Sequence, residues 1–69
     1  MHPPELEGHE VEAVPGCRAR KDYVCPACGN RIAAGHGHVV AWPAGSPDAR
    51  RHWHRHCWRL EVRRQQGRR

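Results

Sequence analysis

The chain has 69 residues, a formal net charge of +5, no Phe, one Met and four Cys. That length holds one domain at most, and burial at ~25 cal/mol per Å² roughly cancels the entropy of ordering so small a chain, so an apolar core alone is excluded as its source of stability. No stretch is long and apolar enough to span a membrane, and the opening Met1-His2-Pro3-Pro4-Glu5 lacks the basic start and apolar run of a secretory leader, so a cytoplasmic location is expected.

Residues 1–16 hold Glu5, Glu7, Glu10 and Glu12, no Lys or Arg, and the breakers Pro3, Pro4, Pro15 and Gly16. Few apolar residues and one sign of charge predict a disordered acidic tail. The domain is then expected over 17–66, with a short basic tail at 67–69. From residue 15 on, twelve basic side chains stand against only Asp22, Asp48 and Glu61, a net of +9. A unit this basic expects an anionic partner.

Tyr23-Val24 predicts a short strand that delivers Cys25 into Cys25-Pro26-Ala27-Cys28-Gly29. Pro26 fixes φ after the first cysteine, and Gly29 supplies the positive φ that turns the chain away after the second. Ile32 to His38 follows, with Gly35 and Gly37 leading into a strand at Val39-Val40-Ala41-Trp42. The loop Pro43 to Asp48 should turn the chain back into a partner strand around Arg50 to Trp53. A helix is predicted from His54 to about Gln66, stopped by Gly67. The candidate core residues are Tyr23, Val24, Ile32, Val39, Val40, Trp42, Trp53, Trp58, Leu60 and Val62.

Cys25, Cys28, His54 and Cys57 read C-x2-C-x25-H-x2-C. Two ligand pairs, each closing a tight turn and joined by a hairpin-sized insert, suit one tetrahedral structural Zn2+. In a reducing compartment, cysteines so spaced point to metal rather than to disulfides. The predicted metal ligands are therefore Cys25, Cys28, His54 and Cys57. Two rivals for the His54 position remain open, His52 and Cys17. His56 adjoins Cys57 and would chelate the same ion only with strain.

At 100° per residue Trp58 and Val62 form one apolar strip of the helix, and Leu60 extends the Cys57 side. Arg55, Arg59 and Arg63 recur at i, i+4 and i+8 on the face left over. With Arg50, Arg51 and an exposed Trp42 they make the candidate nucleic-acid surface: arginines on phosphates, the indole on an unpaired base.

The order C-x2-C, Ile, Gly, strand, W-H-x2-C-W, carried by Cys25, Cys28, Ile32, Gly35, Trp53, His54, Cys57 and Trp58, resembles the PARP-type zinc finger of DNA-break-sensing proteins, a treble-clef and LIM-like Cys3His fold. That resemblance implies a small zinc-stabilised α+β domain of zinc knuckle, β-hairpin and C-terminal helix, binding DNA ends or structured or single-stranded nucleic acid. The stretches His38 to Pro43 and Arg50 to His54 also resemble a group of short uncharacterised actinobacterial proteins. No G-x4-G-K-[ST] occurs and the sole lysine is Lys21, so no nucleotide cofactor is expected. Neither the H-x-E nor the P-C-x-x-C order of a zinc deaminase is present, so a binding module is expected rather than an enzyme. The alternative is an adaptor docking its basic face on an acidic protein.

Overall fold

Val39, Val40 and Trp42 favour an extended chain, because branched and aromatic side chains pack well on a pleated surface. In the computed structural model, which describes residues 2–67, they lie in the central strand of a three-stranded antiparallel sheet. Its strands are β1 (His9–Val14), β4 (His38–Pro43) and β5 (Arg51–Trp53), in the order β1-β4-β5. Two further strands, β2 (Tyr23–Val24) and β3 (Arg31–Ile32), form a separate small hairpin. The helix α1 (Arg55–Gln66) closes the chain.

The period-2 geometry of β4 explains why four of its residues in a row are apolar or buried. Val39 and Ala41 face α1 and cluster with Trp58 and Val62, with Leu6, Val11 and Trp53 packed against them. His38 and Val40 are buried on the other face, where β5 brings His52 opposite Val40. Trp53 and Trp58 meet edge to face, with centroids 5.3 Å apart. Tyr23, Trp42 and Trp53 are half-buried, whereas Val24 and Leu60, both candidates for the core, are exposed. Leu60 lies beyond the strip that Trp58 and Val62 turn toward the sheet.

The expectation of a disordered tail over 1–16 is corrected. β1 pairs along its whole length with β4, from His9 opposite Pro43 to Val14 opposite His38. Before it, residues 2–6 form a strap across the helix: Pro3 is buried, and the Trp58 indole N–H donates to the Pro4 carbonyl at 2.8 Å. The physical reason is that an edge strand needs only one packed face. Val11 packs on the face that meets the core cluster, Val14 is half-buried at the far end on the opposite face, the glutamates stay in water, and β4 supplies the backbone partners. The basic tail expected at 67–69 lies, beyond Gly67, outside the described residues.

Candidate metal centre

The hairpin β2–β3 is a frame for two thiols. Tyr23 pairs with Ile32 and Val24 with Arg31, and the turn between them carries Cys25 and Cys28. The loop is closed by Cys25 N–H donating to the Asn30 carbonyl at 3.0 Å and Gly29 N–H donating to the Cys25 carbonyl at 2.8 Å. Gly29 has φ +74°, a conformation that costs a β-carbon dearly. The other two donors come from the start of α1. His54 is its N-cap, in extended conformation, and Cys57 stands one turn in.

These four side chains meet. One donor atom from each of Cys25, Cys28, His54 and Cys57 can be chosen so that all lie within 4.8 Å of one another. Around a zinc ion with bonds of about 2.3 Å to sulfur, tetrahedral donors stand roughly 3.8 Å apart, so the cluster fits with little contraction. The imidazole is already oriented. His54 Nε2–H donates to the Arg31 carbonyl at 3.2 Å, which leaves the Nδ1 lone pair facing Cys28 Sγ at 3.4 Å and Cys57 Sγ at 3.9 Å. That is also why this N-cap makes no side-chain capping bond: the ring is committed elsewhere.

The electrostatics fit a cation. Burial raises the Cys25 thiol, but hydrogen bonds from the backbone N–H groups of His54, Cys28 and Ala27 outweigh it and hold its pKa at about 6. Cys57 is pushed up to about 12, first by burial and then by the neighbouring Cys25 and Cys28 sulfurs. Three sulfurs this close resist full ionisation by themselves, and a bound dication removes the resistance.

The rivals for the fourth position are placed elsewhere. Cys17 is exposed in a 3-10 turn and stands outside the cluster. His56 is exposed on the helix. His52 belongs to a second group, with His38 and Tyr23. His38, fully buried, donates from Nδ1 to the His36 carbonyl at 2.9 Å and so accepts at Nε2 from His52 Nδ1, 2.8 Å away. Tyr23 stacks on the His52 ring at 3.5 Å with an 11° interplanar angle. The His52 pKa is lowered by burial, and further by His38, Arg50 and Lys21. The available signal was a histidine at the start of one strand, His38, and another on its partner, His52, which becomes readable only once register is known.

The candidate nucleic-acid residues do not form one surface. Trp42, Arg50 and Arg51 border a hollow of about 560 Å³ together with Asp48 and Glu61. There the Arg50 guanidinium lies over the Trp42 ring, 5.5 Å from its centroid, and its Nε–H donates to the Pro47 carbonyl at 3.0 Å. Arg55 and Arg59 border a different hollow, against the N-terminal strap. Trp58 and Val62 turn into the sheet, so residues 55 and 59 fall on one flank of the helix and residue 61 on the other. Arg63 is exposed further along.

The family whose model is described as "Rv1322 family protein" matches residues 3–59, and the chain belongs to that family. It is 48% identical over 58 residues to "Uncharacterized protein Rv1322" of Mycobacterium tuberculosis (strain ATCC 25618 / H37Rv). The same identity holds for "Uncharacterized protein Mb1356" of Mycobacterium bovis. Each alignment covers 75% of this chain and 59% of the relative, so the chain spans about three fifths of the length of these proteins. No solved structure matches it.

Proposed function

We propose that this member of the family is a zinc-stabilised binding module of treble-clef-like topology that meets nucleic acid through the arginine flank of α1. The observation that carries the metal reading is the convergence of Cys25, Cys28, His54 and Cys57 on one point. Three soft thiolates completed by one imidazole suit Zn2+ better than they suit a hard cation, which prefers oxygen. With all four positions taken by protein there is no open coordination site for a substrate, so the ion's role is structural and the module binds rather than catalyses. Metal analysis of the purified chain should give one zinc, retained by His56→Ala and Cys17→Ser and lost from His54→Ala. Zinc retained by His54→Ala and lost from His52→Ala would reassign the fourth ligand.

Arg55, Arg59 and Arg63 support the nucleic-acid reading. All three are exposed, and none makes an ion pair among the described residues, whereas Arg64 is paired with Glu61 at 2.7 Å and Arg31 with Asp22 at 3.5 Å. Unpaired guanidiniums along one flank of a helix match the phosphate spacing of a strand and would release counterions on binding. Titration of labelled duplex at several salt concentrations tests this. Arg59→Ala should flatten the plot of log K against log salt by about 0.9 with zinc unchanged, while Trp42→Ala, on the other flank, leaves the slope as it was.

A second reading, a protein adaptor in the same cytoplasmic setting, has one observation in its favour. Leu60, 47% exposed, borders a groove with Pro26, Ala27, His56 and Cys57 beside the metal cluster. Absence of nucleic-acid binding at low salt would favour it. No helix among the described residues is long and apolar enough to cross a membrane.

A further inference from the structure

The hollow beside the first two turns of α1 holds about 280 Å³ and has a one-sided lining. Arg55, Arg59 and His2 supply its polar groups, and Pro3, Pro4, Ala13 and Val39 supply its apolar surface. Among the described residues no acidic side chain lines it. Glu5, which pairs with the His2 ring at 3.4 Å, is not part of the wall. Another hollow bordered by two arginines, Arg50 and Arg51, includes Asp48 and Glu61 and so carries its own neutralising charge. The difference singles out the Arg55–Arg59 hollow as a concave surface bordered by two arginines and, among the described residues, by no carboxylate.

The position of Arg55 is built into the fold. A β-carbon placed on Gly37 would come within 2.6 Å of the Arg55 guanidinium, so the bare backbone at the entry to β4 is what lets that side chain lie there. The opposite wall is the strap, held by the Trp58 indole bonded to the Pro4 carbonyl. The apolar base contains two buried residues, Pro3 and Val39.

We propose that this hollow binds a phosphate monoester and, on the reading that α1 meets nucleic acid, that the monoester is the phosphorylated end of a strand. Charge favours the end over the interior. A terminal monoester carries about −1.5 to −2 near pH 7 and three acceptor oxygens, which two forked guanidiniums can engage together, whereas an internal diester carries a single charge. Shape points the same way. A diester within a strand must be left by chain on both sides, while a terminus enters a walled hollow from one side and rests its sugar carbons on Pro3 and Val39.

The test uses the full chain loaded with zinc, at one fixed salt concentration. Oligonucleotides identical except for a terminal phosphate or hydroxyl are compared, with adenosine monophosphate as the small-molecule arm. The phosphorylated strand should bind roughly tenfold more tightly than the hydroxyl strand, the scale of one or two charge-assisted hydrogen-bond pairs. Arg59→Gln removes one guanidinium, and Gly37→Ala displaces the Arg55 head while keeping its charge. Each should cut that preference to within about twofold with zinc content unchanged. Equal binding of the two strands overturns the inference and leaves the nucleic-acid reading intact. Binding of adenosine monophosphate, abolished by Arg59→Gln, with no binding of either strand, would retain the monoester site and overturn the nucleic-acid reading. No binding in any arm overturns both, and a preference that survives both substitutions overturns the placement of the site in this hollow.

Discussion

The metal cluster and the N-terminal strand are held in place by opposite kinds of interaction. At the cluster, four side chains from two short elements converge on one point, and local turn chemistry does most of the positioning: Gly29 at positive φ, the N–H groups of the Cys25 loop, and the helix start at His54. At residues 2–14 the one local device is the turn at Gly8, with φ +81° and the His9 N–H donating to the Leu6 carbonyl, and it does not by itself order the segment. The strap and β1 are ordered because β4 offers an edge, Trp58 offers a donor, and Leu6 and Val11 complete a cluster that the rest of the chain leaves open. One region is specified by spacing, the other by complementarity to a surface that must already exist. The second should therefore depend on the first far more than the reverse.

Removing the metal should have the largest effect. Structural zinc supplies about 10–16 kcal/mol of folding free energy in small modules, more than a domain of this size holds in reserve. Chelation, or Cys25→Ser, should collapse NMR dispersion in both regions at once. Amide protection persisting in β1 and β4 with zinc absent would break the dependence of one region on the other.

Removing residues 1–14 tests the reverse direction. Partial burial of Leu6 and Val11 and burial of Pro3 suggest a loss on the order of 3 kcal/mol, with one zinc still bound. Release of the metal on truncation would show that the strap helps to build the site.

Trp58→Phe is a finer probe. It deletes the N–H that bonds the Pro4 carbonyl while keeping an aromatic ring in the core, and about 1 kcal/mol of stability should go with it. Amide exchange should rise in the strap before it rises in β4. A uniform rise would mean that the ring's packing matters and its hydrogen bond does not.

The smallest expected effect concerns His52. Its pKa is depressed in the folded chain, so the unfolded chain binds the proton more readily. The stability that its neutral form contributes is complete above the unfolded value of about 6.5 and declines as pH falls below that value toward the lowered folded one. Thermal melts from pH 7.5 downward, with zinc content followed in parallel, should show this decline reduced in His52→Phe, which retains a ring against Tyr23. An identical pH profile for the two proteins would remove His52 from the account.

Much of the metal centre was legible in the sequence because its determinants are local. A C-x2-C with Pro26 and Gly29 around it dictates a tight loop, and H-x2-C at a helix start brings two donors to one side whatever the rest of the chain does. The helix from Arg55 to Gln66, the strand at β4 and the return strand at β5 were legible for the same reason: turn residues and periodicity act over a few positions. The tertiary structure alone decided what depends on register and facing. It made an ordered strand of an acidic, proline-marked segment, because hydrogen bonding to β4 and one packed face outweigh a poor local composition. It paired His38 with His52 across two strands, and it divided the arginines between two flanks by turning Trp58 and Val62 into the sheet. None of these can be read from neighbours in sequence, since each is a relation between segments whose distance is set only when the whole chain has folded.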